Sequence, residues 1–549
     1  MTLNKKCLFF YKNLVLIVIL MASFGCAVQQ KPQGGPRDRT PPKLLKATPA
    51  NLTHNFSAKQ IQLDFDEYFR LSSPFQEITV FPAQEKPVDY KIKQKSLIIT
   101  LKDTLQKNTT YVINFGKAIA DVNEGNILKN FTYVFSTGNH IDSLSLSGSV
   151  TDQLTQKREK DVTVFLFTPK QDSLLFGKKK PSIYATTDTA GNFTLNNLKE
   201  GVYKIYALKE KSPNKIYDNE DELIAFSKKP INLTHDTSGI KLSLFVQEPQ
   251  KLRFVDRRFD VDGKMIFVFN KPVENPSVRI INPTAIDQQK VVDISKTRDT
   301  VLIYSKSLDF DSVGVAFYSN NKPIDTTYLH KTRKETYTRV LGINYGLTKS
   351  GSAIKPGTDL HLYSNLPIAA FEQSLISLKE DSTFVNFTLT QDTGTTKALT
   401  LKYRWRPKSN YLITINDGAI TDMYGDKIKK QFKRFIVDNP ENYSQLTLKV
   451  TVPDTVGAYV VELLMNDQKI PVRRDRVTKS TSLVYKSYPT GKYTVRVIYD
   501  DNKNGKWDPG SIKRNIQPEN IWISDKIIDL RANWELEEPL IIPKEPISR

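Results

Sequence analysis

Three stretches of this chain, IQLDFDEYF (61–69), MIFVFNKPV (265–273) and LHLYSNLPI (360–368), alternate apolar with polar residues and stop at a polar residue or a proline. Period-two alternation puts every second side chain on one face of a strand, so Ile61, Leu63 and Phe65, and likewise Met265, Phe267 and Phe269, face a core. No long period-3.6 pattern follows the first 26 residues, and Val, Ile, Thr, Tyr and Phe dominate the alternating runs. The fold class read from this is all-β. At 549 residues the chain is longer than a single core sustains (~250–300 residues), so several sandwich domains of ~100 residues each are expected. The spacing leaves room for one extra domain between the first two stretches and none between the second and third.

Composition narrows the chemistry. Hydrophobic residues make up 39% and aromatics 10%, enough to fill cores. The only cysteines are Cys7 and Cys26, so no disulfide or thiol chemistry is expected in the folded part. Five histidines (His54, His140, His235, His330, His361) stand singly without ligand spacing, which argues against a zinc site. The net charge of +20 fits attraction to anionic glycans, lipid head groups or cell-wall polymer, although a Lys-rich solvated surface explains it more plainly. No Arg-rich run with interleaved aromatics occurs, so no nucleic-acid partner is expected.

Two pairs of internal repeats organise the chain. NTTYVINFGKAIADVNEG (108–125) matches KSNYLITINDGAITDMYG (408–425), aligning Tyr111 with Tyr411, Ile113 with Ile413 and Gly125 with Gly425 at one offset. Together with TPPKLLKATPAN (40–51), this pattern resembles the bacterial Ig-like domain of Bacteroidetes lipoproteins, which implies Ig-like sandwiches over 41–138 and 343–438. The resemblance reaches 250–342 only through FVFNKPV. LSLSGSVTD (144–152) and TTDTAGNFTLNNLKEGVYKIYALKE (186–210) resemble the transthyretin-like or carboxypeptidase-regulatory-like sandwich, also seen in collagen-adhesin B-type repeats. LTLKVTV (446–452) and YPTGKYTVRVIYDDNKNGKWD (488–508) repeat it more faintly, pairing Gly491 with Gly201, Tyr493 with Tyr203, Trp507 with Tyr217 and Asp508 with Asp218. The expected modules are thus Ig-like 41–138, transthyretin-like 143–248, Ig-like 250–342, Ig-like 343–438 and transthyretin-like 443–549. They would be strung end to end as an extended rod.

The first residues address the chain. Lys5, Lys6 and Lys12 precede the apolar run Leu14 to Ala22, which has the length of a signal-peptide core and is short for a bilayer span. Ser23, Phe24 and Gly25 then lead to Cys26, which resembles a lipobox of the looser Bacteroidetes form. The resemblance implies a signal peptide over 1–25 and a lipidated Cys26, with an ordinary cleaved signal peptide or an uncleaved anchor as alternatives. Residues 26–40, rich in Pro, Gly and Gln, read as a flexible tether. The expected location is the bacterial outer membrane, lipid-anchored, with periplasmic and surface-exposed display equally open.

Candidate sites are few. In YDDNKNGKWDPG (499–510), Asp500, Asn502, Asn504 and Gly505 fit the first, third, fifth and sixth positions of a calcium loop, and Asp508 the ninth. The twelfth position is Ser511 rather than Glu, so any Ca2+ site there is weak; an Asx-rich hairpin turn is the competing reading. Against its counterpart LKEKSPNKIYDN (208–219), the shared features are the strand, the aromatic and the final Asp, and the metal donors are read as what changed. The acid cluster DNEDE (218–222) reads as a solvated loop before it reads as a general acid–base pair. No G-x-S-x-G, phosphate loop or triad motif occurs, so no enzyme and no small-molecule substrate are expected. The Lys–Asn isopeptide crosslink of B-type repeats has no diagnostic sequence here. Asp142-Ser143-Leu144, Asp299-Thr300-Val301 and Asp454-Thr455-Val456 resemble the Bacteroidetes O-glycosylation acceptor, and chance matches explain them equally well. The leading expectation is an envelope lipoprotein serving as a non-catalytic binding or spacer module for an envelope glycan or protein. The alternatives are a component of an envelope or secretion complex, and a carbohydrate-active enzyme with a site hidden within 250–438.

Overall fold

The computed structural model describes residues 37–331, 337–348, 351–465 and 468–546. The expected signal peptide, Cys26 and most of the tether lie outside the described residues. The chain divides into two compact units, one ending at Ile141 and the other beginning at Asp142. Both are built from strands packed as sandwiches, as the alternation predicts.

In the first unit, strands Leu44–Thr48, Gln60–Phe65, Ser96–Thr100 and Asp89–Lys93 form one antiparallel sheet in that order. Thr79–Phe81, Thr110–Asn114 and Thr132–Ser136 form a second sheet, and Phe69–Leu71 pairs with Ile119–Asp121. Ile61, Leu63 and Phe65 pack against Tyr111, Ile113 and Phe135 in one core. Each fully buried side chain of this kind contributes about 1.5–3 kcal/mol.

Within the second unit, residues 343–437 repeat this plan. Ile343–Tyr345, Leu360–Ser364, Ala398–Lys402 and Thr388–Gln391 form the four-stranded sheet, Asn410–Ile415 pairs with Gln431–Val437, and Ile368–Phe371 pairs with Ile420–Asp422. The repeat extends to individual bonds. Tyr111 and Tyr411 each accept an N–H from five residues upstream, Gln106 and Arg406, at 2.8 Å. Each ring stacks on a phenylalanine at the same offset, Tyr111 on Phe135 at 5.3 Å and Tyr411 on Phe435 at 5.5 Å. The alignment slips by one residue at the turn: Asp121 corresponds to Asp422, each carboxylate accepting backbone N–H groups of the turn that follows.

The stretch between, Phe254–His330, has a four-stranded sheet (Phe254–Phe259, Met265–Phe269, Thr300–Ser305, Lys290–Ile294) and a three-stranded one (Pro276–Asn282, Ser312–Ser319, Lys322–His330). Its strand order follows that of the first unit, but no counterpart of the two-stranded pair is found among the described residues.

Residues 144–246 and 443–541 carry eight strands each, with one pairing scheme. The first strand (Leu144–Asp152; Tyr443–Thr451) runs parallel to the eighth (Thr237–Val246; Glu535–Ile541) and antiparallel to the fourth (Asn192–Leu198; Thr481–Pro489). The fifth (Gly201–Lys209; Gly491–Tyr499) pairs with the second (Thr163–Phe167; Tyr459–Met465), the sixth and the seventh. The aligned tyrosines again make one bond: the hydroxyls of Tyr203 and Tyr493 each donate to the carbonyl four residues upstream, Lys199 and Pro489, at 2.8 Å.

The end-to-end string is corrected in this unit, because these two eight-stranded segments, far apart in sequence, pack against each other. Strand Thr163–Phe167 is buried at every position, and Tyr459–Met465 at all but its last. A strand buried on both faces needs a second layer, and each segment supplies it to the other.

Candidate functional site

The stretch 499–519 leaves the fifth strand of the C-terminal segment and forms the contact between the two. Asp500 is 1% exposed. Its carboxylate accepts the N–H groups of Asn504 and Gly505, both at 2.8 Å, and lies 3.8 Å from the Arg476 guanidinium. Gly505 has φ 78°, in the left-handed region that the turn demands. The side-chain amides of Asn502 and Asn504 both donate to Asp508. The four residues read as calcium donors are therefore brought together, and protein hydrogen bonds already engage their oxygens.

The counterpart loop corrects the view that the donors are what changed. Glu210 takes the place of Asp500 and accepts the N–H groups of Asn214 and Lys215. Asn214 donates to Asp218 as Asn504 does to Asp508, and Lys215 holds φ 62° where Gly505 holds 78°. Carboxylate, asparagine, left-handed residue and aspartate recur at equivalent places making equivalent bonds; Asn502, replaced by Ser212, is the donor without a match. What both copies share is a loop-closing device that satisfies four or five polar groups locally.

Glu519 fastens the far end. Its carboxylate accepts the N–H groups of Asp501 and Asp508 at 3.0 Å, joining both ends of the loop. Burial, and secondarily the charges of Asp508 and Asp500, push its carboxyl above the ordinary range. The Glu519 carbonyl receives the Trp507 indole N–H at 3.1 Å and the Gln153 amide of the other segment at 3.0 Å. Three more bonds cross between the segments: Ile512 N–H to Gln247 at 2.8 Å, the Gln517 amide to the Phe226 carbonyl at 2.8 Å, and the Asn515 amide to the Lys228 carbonyl at 3.1 Å. Trp507 and Ile512 pack onto the cluster of Phe165, Tyr206, Phe226 and Phe245, which also holds Tyr217. The aligned aromatics of the two copies, Tyr217 and Trp507, thus meet on one cluster. At Gly510 an added Cβ would lie 2.7 Å from the Phe245 ring, so only glycine permits the approach.

The opposite sheet contributes a buried ion pair, Glu462 with Arg496, joined from the surface by the half-exposed Arg474. Glu462, 0% exposed, accepts from Arg496 at 2.7 Å and from Arg474 at 2.8 Å. Arg496 reaches across to the Leu154 carbonyl at 3.1 Å. By strand register, Glu462 and Arg496 occupy the places that Phe165 and Tyr206 hold in the other copy. The sequence signal for this contact is the run of apolar residues without alternation in TVFLF (163–167) and YVVELLM (459–465).

The acid cluster 218–222 is only partly solvated. Asp221 is exposed beside Lys211 at 3.5 Å, whereas Glu222 is buried and its carboxyl is pushed up by burial and by Asp218 and Glu210. Of the Asp-Ser/Thr motifs, Ser143 and Thr455 are exposed, while the Thr300 hydroxyl donates to Asp299 at 3.0 Å.

A bacterial Ig-like domain family matches residues 38–137, so the first unit carries an Ig-like domain. No curated protein matches the chain. Among solved structures, BcpA, the major pilin subunit of Bacillus cereus, aligns at 10% identity over 73% of this chain and 99% of its own, with a TM-score of 0.14. The S-layer protein rSbsC aligns at 12% identity over 89% of this chain and 67% of its own, with a TM-score of 0.15.

Proposed function

We propose that the chain is a non-catalytic lipoprotein of the bacterial envelope, anchored at Cys26, whose tandem sandwiches act as a spacer or binding module for an envelope glycan or protein. The two eight-stranded segments are read as transthyretin-like and the remaining sandwiches as Ig-like, in the manner of Bacteroidetes lipoproteins. The observation that carries this reading is the interlock at 499–519. The polar and aromatic groups between Asp500 and Glu519 are occupied in closing a loop and fastening two modules. Such use of its polar and aromatic groups is what a load-spreading or display scaffold requires. A second reading, docking of protein partners within a larger envelope complex, is favoured by exposed apolar side chains such as Val456, Ile470 and Ile541 on the C-terminal segment.

Fractionation of cells expressing the Cys26→Ala variant tests the anchor: the variant is expected to leave the membrane fraction, and retention there sinks the lipoprotein reading. Crosslinking in intact cells followed by co-purification tests the role. Recovery of glycan or a substoichiometric protein supports the spacer and binding module, and stoichiometric envelope proteins support the complex.

A further inference from the structure

A cleft of about 480 Å3 opens where the chain enters the 343–437 sandwich, and Arg339, Lys427, Lys429 and Lys430 line it, with Asp426 the one acid among its lining residues. None of these four cations forms an ion pair with a described residue. Arg339 instead lies 3.9 Å over the ring of Tyr424, which fixes its guanidinium at the wall. In a chain with 59 acidic residues, four cations gathered around one cavity with a single acid, Asp426, repel one another, a cost that folding does not explain.

The first unit supplies an internal control. At the matching offset, Lys427, Lys429 and Lys430 correspond to Ile127, Lys129 and Asn130, while the flanking Ile428 and Phe435 correspond to Leu128 and Phe135. The backbone path is shared beside Lys427, where Leu128 N–H bonds to the Ile119 carbonyl and Ile428 N–H to the Ile420 carbonyl, each at 2.9 Å, but it parts at the third place, where Asn130 holds φ 56° and Lys430 N–H turns to the Asp417 carboxylate. The fold therefore accepts Ile at the place of Lys427, so the lysine there serves something other than the fold, and Lys429 and Lys430 add their charge to the same cleft. From this juxtaposition we infer that the cleft binds a phosphate-bearing ligand. Several ammonium groups converging on a small volume suit phosphate, which carries a charge of about −1.5 to −2 and three acceptor oxygens, better than a monoanionic carboxylate. The phosphate is carried by a sugar or by a lipid head group. This deepens the binding-module reading and rests on it.

Isothermal titration of the full-length chain in neutral detergent tests the assignment, with glucose 1-phosphate, short-chain monomeric phosphatidic acid and glucuronate as probes. At least one phosphate probe is expected to bind, and glucuronate to bind about tenfold more weakly or not at all. Binding should weaken between about 50 and 500 mM salt, because the screening length falls to ~3 Å at 1 M. The double variant Lys427→Ile, Lys430→Gln, which at 427 installs the residue of the sister sandwich and at 430 removes only the charge, should keep the wild-type melting temperature and lose phosphate affinity roughly fivefold to tenfold, as two exposed charge contacts are removed. Binding of glucose 1-phosphate assigns a sugar phosphate, and binding of phosphatidic acid alone assigns a head group. Equal binding by variant and wild type, equal binding of glucuronate, or no phosphate probe bound at millimolar concentration overturns the assignment. In that event, recovery of an envelope partner by crosslinking still upholds the broader binding role, so the two readings fail separately.

Discussion

Tyrosine and carboxylate pairs carry much of the local specification. Glu380 sits beneath the Tyr411 ring system and accepts the hydroxyls of Tyr403 at 2.8 Å and Tyr411 at 2.9 Å. Burial alone would raise its carboxyl, but these bonds, with Ser409 and the Arg406 charge, hold it below the ordinary value of 4.5. A depressed carboxyl contributes stability that is present above the unfolded value and lost as pH falls through the folded one. Glu380→Gln is therefore expected to cost about 1–2 kcal/mol at neutral pH, and to flatten the loss of stability below pH 4.5 in denaturant titrations read by fluorescence. At the 500–508 loop, protein donors engage the oxygens of Asp500 and Asp508. Chelation by EDTA is expected to leave the melting temperature unchanged, and a drop of several degrees on chelation would restore calcium as a structural part of the loop. The residue types of this loop were readable in sequence, and so was its likeness to 210–218. That Glu210 and Asp500 do the same work was not, because Asp and Glu differ in reach and only the backbone path shows both meeting the same two N–H groups.

At the scale of elements, the alternating strands were legible because each has one wet face. The strands around Phe165 and Val461 were harder to place, since a run that is apolar throughout gives no periodic signal for what covers its second face. Trp507→Ala removes a half-buried indole from the cluster of Phe165, Tyr206 and Phe245. It is expected to cost about 2–3 kcal/mol, below the 3–5 kcal/mol of a fully buried aromatic. Hydrogen exchange should then rise in strands Thr163–Phe167 and Gly201–Lys209, while the first unit keeps its protection. Glu462→Leu strands the buried Arg496 guanidinium without its partner and should cost about 3–5 kcal/mol; adding Arg496→Leu should recover most of that loss, since a hydrophobic pair can replace a buried ion pair. Unfolding in urea would show the recovery as a restored midpoint.

At the scale of the whole molecule, each compact unit has its own test. The first has a complete core, so residues 37–141 are expected to fold alone, with a cooperative thermal transition and a folded proton NMR spectrum. The second depends on a long-range closure. Truncation after Pro440 removes Trp507 and Ile512 from the aromatic cluster of 144–246, and the remaining chain is expected to bind a hydrophobic dye and to aggregate. A truncated chain that stays monomeric and dye-silent would mean that the interlock adds little.

By itself, the sequence determined the strand content, the Ig-like character of the first unit and, but for a one-residue slip at one turn, the alignment of both repeat pairs, because period-two alternation and turn residues are written locally in the chain. Tertiary structure alone decided that Gln153 meets Glu519 and that Tyr217 and Trp507 share one cluster. The burial of Glu462 opposite Arg496 and the gathering of Arg339 with Lys427 and Lys430 around one cleft belong to the same class. These contacts join residues whose separation in the chain carries no periodic trace. The contacts between the two eight-stranded segments form because a sheet with two apolar faces lowers its free energy only by burying both.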